Sequence, residues 1–191
     1  VDSNNDGYST DPFHLTVDFK PVADKLEPDN AFGEAAMVAP TSTSQIGIFP
    51  RGDADWLAFD VGGPGELTLS ATSVPENLDV YMRVWNGDKQ VVRDWLAPSR
   101  KGGDVAGFAD LPAAGRYFVE IVDGNNDAAS VQLFPLALAF RPEPDQYEPN
   151  NGPGEATPIA TGGKILFNIL PRGDSDWFRV DVPSAGELSV V

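Results

Sequence analysis

The sequence predicts an all-β protein: an antiparallel β-sandwich in tandem repeat, with incomplete copies on either side of one intact unit. Three observations carry that expectation. Short segments rich in Val, Leu, Phe, Tyr and Trp recur at regular spacing between turn residues, which is the pattern of strands. The 17 prolines and 19 glycines leave little room for helix. Finally, the first 70 residues return as the last 70 in unbroken register.

The repeat divides the chain. Asp24-Lys-Leu-Glu-Pro-Asp-Asn30 recurs as Asp145-Gln-Tyr-Glu-Pro-Asn-Asn151, an offset of 121 positions. Pro50-Arg-Gly-Asp-Ala-Asp-Trp56 recurs as Pro171-Arg-Gly-Asp-Ser-Asp-Trp177, and Val1-Asp-Ser-Asn-Asn-Asp6 as Val122-Asp-Gly-Asn-Asn-Asp127, at the same offset. About 30 of the 70 aligned pairs are identical, far more than chance gives. Residues 71 to 121 occur once. Pro-rich acidic stretches at 20–24 and 141–146 read as linkers. The expected organisation is therefore residues 1–23 as the C-terminal strands of a preceding repeat, 24–141 as a complete sandwich, and 142–191 as the N-terminal part of a following repeat. Val1 falls inside a repeat unit, so the chain is expected to come from a longer precursor.

Along the intact unit the first expected element is a helical turn over Ala31 to Val38, with Asn30 as its cap. Strands follow at Asp55 to Val61, Glu66 to Ala71, Leu78 to Trp85 and Arg116 to Val122. In the third of these, Leu78, Val80, Met82 and Val84 share one face, while Asp79, Tyr81, Arg83 and Trp85 share the other. Asn86-Gly87 is expected to close a hairpin as its two central residues. Trp56 and Trp177 read as core. Residues 11 to 20 are expected to be a last strand, and 164 to 191 opening strands, both with unpaired edges prone to strand-exchanged self-association.

Composition removes several function classes. A net charge of -16 and a pI near 4.2 oppose binding to nucleic acid and to anionic membrane surfaces and favour cations as guests. No run of 18 apolar residues exists, so membrane insertion is not expected. There is no cysteine, which removes disulfides and thiolate metal sites. The single histidine, His14, leaves zinc or a histidine-based triad without material, and its counterpart is Pro135.

Several motifs in order resemble the bacterial pre-peptidase C-terminal domain family: Asp24-x-x-Glu27-Pro-Asp-Asn30 with Ala35 or Ala36 downstream, Gly52-Asp-x-Asp-Trp56, Gly65-Glu-Leu67, Leu78-Asp-Val80 and Ala114-Gly-Arg-Tyr117. The resemblance implies a jelly-roll-like sandwich without catalytic activity, appended to secreted or cell-surface bacterial proteins. It also implies calcium (Ca²⁺) binding at the acidic start of the domain. Carried over residue by residue, the ligand set falls on Glu27, Asp29, Asn30, Asp53 and Asp55, with Asp24 as an addition. The second copy offers Glu148, Asn150, Asn151, Asp174 and Asp176. Asp29 departs from the commoner Glu-Pro-Asn-Asn form, which residues 148–151 keep.

Calcium takes six to eight hard oxygen ligands, which two acidic clusters joined by folding can supply. The competing reading is local: Asp53 and Asp55 cap a turn and Asn30 caps a helix. A second acidic loop, Asp2-Ser-Asn4-Asn-Asp6-Gly7, matches the opening of a calcium loop but has Phe13 where a distal glutamate belongs. Its copy keeps Asp123, Asn125 and Asp127 but replaces the glycine with Ala128, and a hairpin loop explains both. Arg51-Gly-Asp53 and Arg172-Gly-Asp174 read as turns entering a strand rather than as adhesive motifs. Tyr81, Arg83 and Trp85, with Trp95 nearby, form either cross-strand packing or an aromatic platform for an extracellular polymer. No nucleophile elbow or phosphate loop is present, so no enzyme activity is expected. The leading expectation is a non-catalytic, calcium-stabilised extracellular spacer or docking module, in contact with neighbouring repeats of the same protein. The alternative is a polysaccharide- or collagen-type polymer-binding module of a secreted hydrolase.

Overall fold

The computed structural model of the chain describes residues 3–4, 6–19, 21, 24–143, 145–170 and 173–191. Nine strands form two facing sheets: β1 (Ala36–Met37), β2 (Thr41–Ile46), β3 (Ala54–Val61), β4 (Gly65–Ala71), β5 (Val80–Asn86), β6 (Val91–Leu96), β7 (Val105–Leu111), β8 (Gly115–Asp123) and β9 (Phe134–Pro142). One sheet has the order β1-β3-β8-β5-β6 and the other β2-β9-β4-β7. Apart from the short parallel pairing of β1 with β3, all ladders of the two sheets are antiparallel.

The pairings have a simple logic. β2 lies against β9, β3 against β8, β4 against β7 and β5 against β6, so eight strands pair first with last, as in one long hairpin. Folding that hairpin over brings β9 beside β4 and β8 beside β5. The result is a jelly roll, an antiparallel β-sandwich, as the sequence predicts.

Alternation along each strand fills the space between the sheets. Leu57, Phe59 and Val61 of β3, Val80, Met82 and Val84 of β5, Val119 and Ile121 of β8, Leu67 and Leu69 of β4, and Phe134, Leu136 and Leu138 of β9 are buried there. Burial of this kind stabilises by roughly 1.5–3 kcal/mol per large side chain. Tyr117 also points inward, and its hydroxyl donates to the Ala113 carbonyl at 2.9 Å, so no polar atom is stranded. At Gly107 of β7 an added Cβ would lie 2.4 Å from Leu96 of β6.

Four local expectations are corrected. Residues 31–38 contain no helix: the Glu34 amide closes a single turn onto the Ala31 carbonyl, and Ala36–Met37 then pairs with Leu57–Ala58 as β1. Asn30 has no helix to cap, and its side-chain amide nitrogen donates to Glu27. The β5–β6 hairpin turns one residue later than expected. The Asn86 side-chain oxygen accepts from the amides of Asp88 and Gln90, which holds Asn86 at the turn's first position, and positive φ falls on Lys89. Trp56 is not in the core. With Leu57, Phe59 and Val61 inward, strict alternation turns Trp56 outward and Asp55 inward.

Residues 12–19 enter no ladder, and among the described residues of 164–191 only Phe178–Val180 (β11) does, beside Thr157–Ile159 (β10). Alternation alone does not make a strand; it needs paired neighbours. Trp177 is 45% exposed rather than buried.

Candidate metal centre

The interior of the sandwich is apolar to its end, where Asp55 takes the next inward position of β3. Opposite it, the segment 24–30 folds back so that the Trp56 amide donates to the Asp29 carbonyl at 2.9 Å. Glu27, Asp29 and Asp55 thereby converge, with one carboxylate oxygen from each within 4.8 Å of the others. Asp29 and Asp55 are both fully buried, and none of their four carboxylate oxygens has a hydrogen-bond donor.

The neighbouring acids are used differently. Asp24 accepts from the amides of Leu26 and Gly47 at 3.0 and 2.7 Å, which ties the segment to the loop after β2. Asp53 accepts from Phe49 at 2.7 Å and Ala54 at 3.1 Å, closing the turn in which Gly52 has a φ of 91°. One oxygen of Glu27 accepts from the Asp29 amide and from the Asn30 side chain, at 3.2 and 2.9 Å. Of the six residues carried over from the family pattern, three converge as open ligands and three position them.

This separation sets the electrostatics. Burial, with the charges of Asp29, Asp53, Asp24 and Glu27 acting in the same direction, raises the Asp55 carboxyl to about 9. Burial likewise raises Asp29 to about 7, with repulsion from Glu27, Asp24 and Asp53 adding to it. Asp53 is raised by burial too, opposed by the Phe49 and Ala54 amides. Buried carboxylates without donors cost several kcal/mol each when ionised. A hard divalent cation removes that cost, because it wants anionic oxygen ligands. Glu27, Asp29 and Asp55 fit such an ion on donor type, convergence and unsatisfied valence.

The same bonds occur 121 positions later. Asp145 accepts from Tyr147 and Asn168 at 2.8 Å each, Asp174 from Leu170 and Ser175 at 3.0 and 2.7 Å, and Glu148 from Asn150 and the Asn151 side chain at 3.2 and 2.8 Å. The Trp177 amide donates to the Asn150 carbonyl at 2.9 Å. Glu148, Asp174 and Asp176 converge within 4.8 Å, and both Asp176 oxygens are buried without a well-formed donor. Burial raises Asp176, opposed by the Asn150 amide beside it, and burial also raises Glu148.

Sequence reasoning missed Glu143. Its amide donates to the Pro64 carbonyl at 2.9 Å, anchoring it beside the sandwich. One carboxylate oxygen is buried without a donor, and burial followed by repulsion from Asp174, Glu148, Asp145 and Asp176 raises it to about 7. It lines a pocket of about 590 Å³ with Pro64, Pro112, Asp145, Glu148 and Asp174. The first copy has Val22 at this place, so the repeat gave no signal for it.

The other acidic loop does not converge. Asp123 accepts from the amides of Asp79, Asp127 and Ala128, at 2.8, 2.9 and 3.1 Å, and so staples its own loop. Asn125 donates to Asp79, and Asp127 pairs with Lys101 at 2.9 Å. Asp2 lies outside the described residues, and among the described residues Asp6 joins no converging group of three acidic ligands. Asp53 of the Arg-Gly-Asp segment is buried with both oxygens bonded, so it presents no free carboxylate.

Tyr81, Arg83 and Trp85 do share the outer face of the β5 sheet. Arg83 lies 3.9 Å from the Trp95 ring centre and 5.3 Å from that of Trp85, and it pairs with Asp94. Trp56 sits 6.1 Å from Trp85 and 5.5 Å from Phe32, which continues the strip across the sheet.

No family model matches the chain. Among solved structures it is similar to the pre-peptidase C-terminal domain of a collagenase from Bacillus anthracis, with a TM-score of 0.44 and 8% identity over 54% of this chain and 92% of that one.

Proposed function

We propose that the chain is a non-catalytic, calcium-stabilised module of a secreted or cell-surface bacterial protein. In this reading residues 24–141 are one whole unit of a tandem array, and the module spaces or docks its larger parent. The observation that carries the calcium reading is the buried pair Asp29 and Asp55, whose carboxylate oxygens lack any donor while Glu27 converges on them. A fold that needed only turn caps would have satisfied those oxygens with N–H groups, as it does for Asp24, Asp53 and Asp123. Calcium fits better than zinc because the ligands are all oxygen, with neither thiolate nor imidazole near.

The test is a thermal melt of metal-free protein with and without calcium. At 100 times the dissociation constant calcium adds about 2.7 kcal/mol to stability. An unchanged midpoint overturns the calcium reading.

The outer aromatic strip supports the second reading, a polymer-binding module, because Trp56, Trp85 and Trp95 are only partly buried on β3, β5 and β6 of one sheet. Pull-downs on insoluble polysaccharides and on collagen, with Tyr81→Ala and Trp85→Ala as controls, decide between the two. The spacer reading expects no retention of the wild type.

A further inference from the structure

The intact sandwich ends on β9, whose last residue, Pro142, pairs with Gly65 of β4. Glu143 follows directly, and its bond to the Pro64 carbonyl fixes it to the sandwich at the end where the turns 62–64 and 112–114 lie. The cluster of Glu27, Asp29 and Asp55 belongs to the opposite end, because Asp55 stands at the start of β3 and Pro64 beyond its finish. The length of β3 separates the two ends by roughly 25 Å. At the Pro64 end lies the second acidic cluster. One pocket of about 590 Å³ is lined by Pro64, Pro112 and Ala113 of the sandwich, by Glu148 and Asp174 of the following unit, and by Glu143.

This cluster is more than a group of acids. Asn150 is fully buried beside Asp176, and neither its side-chain oxygen nor its nitrogen has a well-formed partner. One oxygen each of Glu143 and Glu148 and both oxygens of Asp176 are also buried and unpartnered. A shortage of amides does not explain this, since Asp145 and Asp174 each accept from two. Oxygens gathered without donors suit a hard cation, which takes carboxylate, amide carbonyl and water oxygens together. Without one, Glu143 on the sandwich meets Glu148 and Asp174 as like charges in one pocket, which pushes the junction open; a divalent ion reverses that sign.

We propose that one divalent cation, held by Glu148, Asn150, Asp174 and Asp176, is also held by Glu143, and so clasps the sandwich to the unit that follows it. Glu143 is not among the carboxylates that converge within 4.8 Å, so it is a positioning residue that acts through water on the ion. This clasp rests on the calcium reading and goes beyond it: the ion fixes the geometry between two units and not only the stability of one. The repeat has Val22 where Glu143 stands, so the clasp is a feature of this junction rather than of every one.

The experiment uses the full chain, which has no cysteine. Nitroxide labels on Thr68→Cys, exposed on β4, and Thr161→Cys, exposed in the following unit, report the distance between the two by pulsed electron paramagnetic resonance. Calcium is expected to narrow a broad metal-free distribution to a single peak. Asp176→Asn is expected to keep it broad with calcium present, and Asp55→Asn to leave the narrowing intact. Glu143→Gln is expected to weaken the second site about tenfold by titration calorimetry and to stay broad even when that site is filled, which a loss of affinity alone does not explain. Narrowing in Glu143→Gln as in wild type overturns the proposal. An unchanged wild-type distribution with both sites filled overturns the clasp and leaves calcium binding in place, as does calcium bound at the first site alone. No calcium bound at either site removes the calcium reading and the clasp with it.

Discussion

Asp55→Asn is the substitution that separates a metal site from an ordinary buried turn. The Asp55 carboxylate is fully buried, lacks a donor on both oxygens and is pushed up to about 9. In the unfolded chain an aspartate titrates near 4. The folded state therefore holds the proton more tightly, and the stability of metal-free protein falls as pH rises from about 4 to about 9. At about pH 7 the unfolded carboxyl lies roughly three units below the ambient pH, and at about 1.4 kcal/mol per unit the cost is at most ~4 kcal/mol. Relaxation and water entry reduce it, so about 2 kcal/mol is the expected measured figure. Asparagine carries no charge. The metal-free variant is therefore expected to melt above metal-free wild type at about pH 7, by roughly 8 °C for a domain of about 120 residues, and to show no such gain near pH 4. With calcium the order reverses: wild type gains about 2.7 kcal/mol at 100 times its dissociation constant and the variant gains much less. Differential scanning calorimetry in EDTA and in calcium, at both pH values, reads all four quantities. The reasoning fails if metal-free Asp55→Asn melts below wild type at neutral pH and still responds to calcium as wild type does.

Three further outcomes are expected. Glu143→Ala weakens calcium binding at the cluster of Glu148, Asp174 and Asp176 about tenfold and leaves the Glu27, Asp29, Asp55 site unchanged, as two-site titration calorimetry measures. Asp123→Ala strands the amides of Asp79, Asp127 and Ala128 and costs about 2–4 kcal/mol by urea denaturation, with an undiminished calcium response; loss of that response would reassign the loop as a metal site. Arg83→Ala removes the guanidinium from between Trp85 and Trp95 and costs about 1 kcal/mol in the same assay, again without affecting calcium.

Much of the sandwich was legible because its strands carry their own pattern. Residues 55–61, 66–71, 78–85 and 116–122 alternate around a clear apolar face, and the structure places strands there. β2 was not legible. Thr-Ser-Thr-Ser-Gln-Ile has a single apolar residue, Ile46, and becomes a strand because β9 pairs along its whole length. The placement of Trp56 was legible but read wrongly. The parity of Leu57, Phe59 and Val61 already puts Asp55 inside, and a tryptophan's preference for burial argued against its own register. Asn30 misled in the opposite way, since its type suits a helix cap while its amide is held by Glu27.

The site divides along a line that sequence cannot draw, because what matters is which carboxylate oxygens meet backbone N–H groups. Asp24 and Asp53 look no different from Asp29 and Asp55 in a string of letters. In the fold, the first pair takes amides from Gly47 and Phe49 and so brings two loops together, while the second pair is left facing inward with nothing to accept from. The second cluster keeps this division and changes one member. Asn150 stands where Asp29 does, which removes a charge, and Glu143 enters from the linker through its amide bond to Pro64, which restores one. Under the calcium reading that exchange has a mechanical consequence. Metal held by Glu148, Asp174 and Asp176 would lie near Glu143, which lines a pocket with Glu148 and Asp174 and whose amide is bonded to the Pro64 carbonyl, so the second cluster would be coupled to the intact sandwich, whereas metal at the first cluster would hold only its own unit together.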